Sequence, residues 1–226
     1  AINEPMVIHN ITLSDVQSTP DYAAAAEDYR AKGYHPAADN QENIRKIQGE
    51  DAFEKSDATL IPTYDHTHSA TEPNRYDCIL FNTIGGSSWQ NNGQWISWQF
   101  EVSETGLYKI GLKAIQNVSN GASSARRFYI NGITPFQELM AVQFPYSTDF
   151  NMYTLGGEHP YEFYFEKGQT YTLTMEAVLG DVALPLKKTA EILEKLNKVY
   201  REILVLTGAN PDTNRDYQLA KVMPDT

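Results

Sequence analysis

The 226-residue chain has one cysteine, no long apolar run and few basic side chains, with 18 Lys and Arg against 29 Asp and Glu. Each shortage excludes something. Cys78 cannot close an intrachain disulfide and supplies no metal-ligand spacing. Without an apolar stretch of about 18 residues the sequence offers no membrane-spanning helix. A formal net charge of −11, with no local basic patch, argues against a nucleic-acid partner, whose phosphates demand clustered cations. HExxH, GxSxG, Walker and GxGxxG patterns are also missing, and with them the chemistries that those spacings serve. The first residues, Ala1-Ile2-Asn3-Glu4-Pro5, lack the charged and apolar regions of a secretion signal, so any export signal is expected to have been removed. Few cysteines do not speak against export.

What the chain does have is aromatics: 14 Tyr, 9 Phe and 3 Trp, a content suited to a folded, β-rich protein. The length suits one large domain or a medium domain with appendages. Met6–Leu13 reads as a short strand. Ser18-Thr19-Pro20-Asp21 then supplies an N-cap for an alanine-rich helix expected from about Asp21 to Lys32, with Gly33 placed to stop it. From Ile44 onward the pattern changes to period-two runs punctuated by Gly, Pro, Asn and Ser. Strands are predicted at 44–52, 78–84, 95–102, 106–114, 126–130, 136–142, 162–165 and 169–178, with Asn131-Gly132 and Glu166-Lys167-Gly168 among the turns. Many strands without intervening helices indicate a sandwich rather than βαβ units.

After Pro185 the period becomes helical. Ile192, Leu193, Leu196, Val199, Tyr200, Ile203 and Leu204 form an apolar stripe opposite Lys187, Lys188, Glu191, Glu194, Lys198 and Glu202, and Gly208 ends it. A further helix is predicted around 215–222. The expected organisation is therefore an N-terminal strand and helix lead over 1–43, a β-sandwich over 44–181 and a helical extension over 182–226. The stripe is wider than one sheet face needs, so a surplus side is expected to meet another surface.

Chemistry concentrates between Ile84 and Ile110, where a Gly- and Asn-rich loop carrying Trp89 leads into a strand with Trp95 and Trp98. The odd spacing puts Trp95 and Trp98 on opposite faces, and Trp95 is expected in the core. Trp89 lies among Ser87, Ser88, Gln90, Asn91 and Asn92, where an indole can stack on a pyranose while amides hold its hydroxyls. Arg126, beside Arg127, is a candidate for a carboxylate or diol contact. Tyr64 and His66, in a long loop with Asp65 and His68, could wall such a site. His66 and His68 are spaced for one strand face, but no third zinc ligand stands at a telling spacing.

The segment Ile84–Ile110, with IQGEDA at 47–52, Arg126–Gly132 and Phe165–Leu173 in the same order, resembles carbohydrate-binding modules of the galactose-binding-like jelly-roll class, families 6 and 35. The resemblance covers about residues 44–180. It implies a mainly β jelly-roll sandwich without catalytic residues, a carbohydrate partner contacted by Trp89, Asn91, Asn92, Arg126, Tyr64 and His66, and a structural Ca2+. That ion would be held by residues at Gln48, Glu50 and Asp181; Gln48 stands where the family has an acidic residue, which removes one negative charge from the set. A narrower likeness rests on Asn131–Phe136 and Leu196–Arg201. The sequence there is similar to the jelly-roll region of large extracellular solute-binding lipoproteins of Firmicutes sugar ABC transporters. It implies a cell-surface setting, membrane attachment only through a lipid anchor outside this sequence, and docking of the C-terminal helix on missing parts of its own full-length chain. The alternative is a purely structural interaction domain. The two differ at Trp89, which a binding module leaves facing solvent and a scaffold buries. A hydrolase would instead need converging carboxylates in a cleft.

Overall fold

In the computed structural model, residues 18–38, 43–68, 71–73, 75 and 77–223 are described, apart from the side chain of Ala220. The strand expected at Met6–Leu13 lies outside the described residues. Two compact units appear, one ending at Val178 and the other Leu179–Thr226.

The first unit is mainly β. Its principal sheet is antiparallel and five-stranded. In chain order the strands are β1 (Glu54–Lys55), β2 (Pro62–Thr63), β3 (Thr83–Ile84), β4 (Trp95–Glu101), β5 (Gly106–Lys109), β6 (Gly111–Ala114), β7 (Ser124–Ile130), β8 (Val142–Phe144), β9 (Asn151–Thr154), β10 (Glu162–Phe165) and β11 (Thr170–Val178). The large sheet runs β1-β4-β11-β7-β8, while β5 pairs with β10, β6 with β9 and β2 with β3. Because β5 and β6 are nearly continuous, their two ladders make an opposing layer. The layers meet through rings: Phe100 lies 5.1 Å from Phe165, and Phe144 5.1 Å from Tyr153, centroid to centroid. The arrangement is that of a jelly-roll-like β-sandwich, as expected.

Alternation decides what enters the core. On β4 the residues Ile96 and Trp98 are buried, on β11 Leu173, Met175 and Ala177, and on β7 Phe128, as side chains of every second residue must be on one face of a sheet. The expectation for the tryptophans is corrected here. Trp98 is the core residue, 8% exposed, with its indole N–H donating to the Gly49 carbonyl at 2.9 Å. Trp95 is on the outer face and only half-buried.

The helix α1 (Tyr22–Ala31) begins at Asp21, whose carboxylate accepts the Ala24 amide at 2.8 Å. Tyr22 reaches Phe136 and Tyr161 at 5.0 and 4.5 Å and accepts the Glu162 amide on its hydroxyl. The described part of the lead is thus packed into the sandwich unit. Beyond α1, the chain hydrogen-bonds to β5 through His35 and Ala37. Gly106 permits that approach, since a Cβ there would sit 2.7 Å from the Ala37 nitrogen.

Three of the expected strands change markedly, and one strand was not expected. Residues 44–52 turn, with the Asp51 amide bonded to the Gln48 carbonyl, and pairing begins only at β1. The 78–84 strand shrinks to β3. At 136–142 a 3-10 turn, Gln137–Met140, precedes β8; Phe136 and Leu139, three apart, are both fully buried, a spacing that a turn satisfies and a strand does not. The short β9 was unexpected because its residues, Asn-Met-Tyr-Thr, carry no clear alternation.

The second unit holds α2 (Ala183–Thr207) and α3 (Leu219–Val222). Pro185 falls within the first turn of α2, where amides lack helical partners in any case. The tail helix is shorter than the 215–222 expectation.

Phe128 is fully buried between the layers, so Phe128→Ala should lower unfolding free energy by about 3–5 kcal/mol. Chemical denaturation followed by tryptophan fluorescence measures it. A loss below about 1 kcal/mol would contradict this account of the core.

Candidate functional site

Two surfaces of the sandwich unit carry concentrated polar and aromatic chemistry. The first is the rim loop before β4. Here Trp89 packs against the core cluster, and its indole N–H donates to the Gln94 carbonyl at 3.0 Å, so at this residue the chain has the arrangement expected of a scaffold rather than of a solvent-facing sugar contact. Gly85 gives the ring room: it has φ 104°, and a Cβ would meet the Trp89 ring at 3.0 Å. Arg126 is on the inward face of β7, and its guanidinium carbon lies 4.4 Å from the Trp89 ring centroid. It donates to the Trp89 carbonyl at 3.0 Å, to Ser124 Oγ at 2.7 Å and to the Ala125 carbonyl at 2.9 Å. Burial pushes its pKa down to about 10, which still leaves it charged at neutral pH. Ring face and carbonyls therefore solvate a cation that has left water. Asn91 and Asn92 are exposed at the loop tip, and the buried Gln94 side chain accepts the Asn91 amide at 2.9 Å.

Tyr64 and His66 stack on each other at 5.6 Å in a separate loop. The buried Asn82 organises that loop, accepting the Asp65 amide and donating to the carbonyls of Asp65 and Pro73. Asp65 accepts from Thr67 and from His68 Nδ1, the latter at 2.6 Å, while His68 Nε2 reaches the Thr148 carbonyl at 3.2 Å. The hydrogen bond to Asp65, then that to Thr148, holds the imidazole pKa above its ordinary value. The ties of this loop thus run to the 147–149 segment. Of the expected contact residues, the fold gathers Trp89, Asn91, Asn92 and Arg126 around one loop, and it places Tyr64 and His66 in another.

For the metal expectation, Gln48 and Glu50 share one turn, whereas Asp181 belongs to the second unit. Among the described residues no three His, Cys, Asp or Glu side chains gather into a metal-binding group. Glu50 is nonetheless distinctive. Its Oε2 is buried without a hydrogen-bond partner, and burial raises its carboxyl pKa above the usual range.

The second surface is the outer face of the five-stranded sheet, which the sequence reading missed. Register puts Trp95, Glu176 and Arg127 side by side on β4, β11 and β7. The next row is Glu54, Ser97, Thr174 and Tyr129. Neighbouring strands stand about 4.8 Å apart, so the first row spans roughly 10 Å. Tyr129 donates its hydroxyl to Glu176 in a short hydrogen bond. Arg127 Nη1 contacts the Tyr129 oxygen at 3.4 Å, and its Nε reaches the Met140 carbonyl at 3.4 Å. Thr174 donates to Ser97 at 3.1 Å, and Ser97, 2% exposed, forms the floor. Burial, then the bond to Glu176, raises the Tyr129 pKa, so the phenol remains a donor. The result is an indole beside a braced carboxylate and a guanidinium, all half-buried. Assigning Trp95 to the core hid this row; pairing the 95–101 and 170–178 strands in antiparallel register would have exposed it.

No protein-family profile matches the chain, and no curated protein matches it. Among solved structures, a family 35 carbohydrate-binding module from an environmental isolate is similar at TM-score 0.37 and 14% identity, over 61% of this chain and 81% of that one. A GH26-CBM35 β-(1,4)-mannanase of Podospora anserina gives 0.40 and 16%, covering 59% of this chain and 24% of the enzyme. A Paenibacillus cycloisomaltooligosaccharide glucanotransferase complexed with cycloisomaltoheptaose gives 0.40 and 15%, covering 71% and 21%. The chain spans about a quarter or less of these two enzymes.

Proposed function

We propose that this protein is a non-catalytic carbohydrate-recognition module and that the outer sheet face is its binding surface. The observation that supports it most is the row Trp95–Glu176–Arg127. An indole offers its face to the C–H side of a pyranose, while a fixed carboxylate and guanidinium accept from and donate to neighbouring hydroxyls. A span of roughly 10 Å accommodates about two sugar units. The pieces are pre-organised, since Tyr129 braces Glu176 and Arg127 is anchored on a backbone carbonyl. Binding to such a surface loses little to ordering of side chains.

Catalysis fits the same face poorly. Glycoside hydrolysis takes two carboxyl groups no more than about 9.5 Å apart. Glu54 and Glu176 are on different rows with β4 between their strands, and Glu176 already accepts from Tyr129. A surface-exposed setting within a sugar-uptake assembly agrees with this role and remains part of the proposal.

In this reading the rim loop of Trp89 and Arg126 supports the module, and Asn91, Asn92, Tyr64 and His66 lie outside the row that binds. Trp95→Ala should therefore weaken binding to a glycan selected on an array by about tenfold or more, on the order of 1–2 kcal/mol, with the melting temperature little changed. Trp89→Ala should instead lower the melting temperature. If Trp95→Ala leaves the array profile intact while Trp89→Ala abolishes it without destabilisation, the binding surface is the rim.

Calcium belongs to the same proposal, and Glu50 is the residue that suits it. A buried carboxylate oxygen without a partner fits a hard cation; Gln48 and backbone carbonyls of the turn would add oxygens, and the ion would brace the turn below Trp98. Millimolar calcium should raise the melting temperature of the wild-type protein over its value in EDTA. Glu50→Gln should remove that response, and it should be no less stable than wild type in EDTA, because the burial cost of the charge disappears. A wild-type melting temperature indifferent to calcium excludes the ion.

A further inference from the structure

α2 has 25 residues and none of them is buried. Ile192, Leu196, Val199, Ile203 and Leu206 recur along it at alternating spacings of four and three, the seam of a helix pair. Ile192 and Leu196 are 63% and 61% exposed, and Leu193 and Tyr200, beside the seam, 52% and 58%. Val222 and Met223 of the tail line a groove with Arg201, Glu202, Val205 and Leu206. The tail thus meets the C-terminal end of α2, beside Glu202 and Leu206, and the N-terminal part of the seam, Ile192 and Leu196, is its most open part.

We infer that α2 pairs with α2 of a second copy of this chain, antiparallel, about a two-fold axis between Leu196 and Val199. The self-complementarity of the sequence selects this occupant. Antiparallel pairing sets Ile192 against Ile203 and Leu196 against Val199 in both directions, so a single patch serves both copies. On one side of the seam, Lys195 of each chain comes level with Glu202 of the other. On the other side, Leu193 meets Tyr200, widening the apolar strip. Parallel pairing would place Lys195 beside Tyr200 and Glu202 beside Thr207, leaving both charges uncompensated. Neither Lys195 nor Glu202 is in an ion pair within the chain among the described residues. The whole seam is about 22 Å long for 15 residues, and Val199 and Ile203 within it are already half-buried in the single chain, so the pairing is expected to be weak.

Sedimentation velocity of the whole chain over a concentration series tests the pairing. The expected result is a monomer–dimer equilibrium that weakens with added salt. Lys195→Glu alone sets Glu against Glu, and Glu202→Lys alone sets Lys against Lys; each should weaken the dimer about tenfold. An equimolar mixture of the two variants should recover it, because both cross-pairs are then opposite in charge. Far-UV circular dichroism confirms that α2 stays helical in each variant, and Leu196→Glu should give a monomer. A monomer at all concentrations, or a dimer that neither charge reversal changes, would overturn the proposal.

Discussion

The central position of β11 constrains everything else in the sandwich. This nine-residue strand is hydrogen-bonded on one side to β4 and on the other to β7, and its alternation is strict. Leu173, Met175 and Ala177 enter the core, while Thr172, Thr174 and Glu176 look outward. A slip of one residue would exchange the two sets, burying a carboxylate and exposing the apolar side chains. Because that penalty is so large, the register is fixed. It fixes in turn which residues of β4 and β7 become neighbours. The core contacts of Trp98 and Phe128 and the outer row of Trp95 and Arg127 are consequences of the same ladder.

The rim follows a different physical rule. Arg126 lies on the inward side, in a place where sequence alone would expect an aliphatic residue, and it is accommodated by oxygens and an aromatic face. Removing a cation from water is costly unless such partners converge on it. Three acceptors and the Trp89 ring do so. The rim loop is thereby tied to the start of β7. Asn82 performs a comparable task for the 64–73 segment with neutral amide bonds. Two loops at the edge of this sandwich thus each have a polar side chain at their centre, Arg126 for one and Asn82 for the other.

Much of the fold was legible because it is written in local periodicity. The strands expected at 95–102, 162–165 and 169–178, the helix expected from about Asp21 and the long helix ending at Gly208 all follow from spacing and turn chemistry. Phe136 and Leu139 were misread because a short apolar run does not distinguish a strand from a turn of three residues. β9 and β1 exist only through their partners, and no local signal marks them. The outer row was illegible for the same reason. Its members come from three strands, and only pairing brings them together. Trp89 was recognisable as special, but its orientation depends on Arg126 and Gln94, which a loop sequence does not reveal.

The dipeptide Arg126-Arg127 joins these themes. The two share a peptide bond yet lie on opposite sides of a sheet, one over Trp89 and the other beside Glu176. Neighbours along the chain are therefore strangers in function, while residues from distant strands are coupled. Among relatives, the identity at position 127 should covary with 95 and 176, and that at 126 with 85, 89 and 124. Two independent groups of positions would thus drift separately through a single strand, one tuned by what the protein meets and the other by what keeps its rim closed.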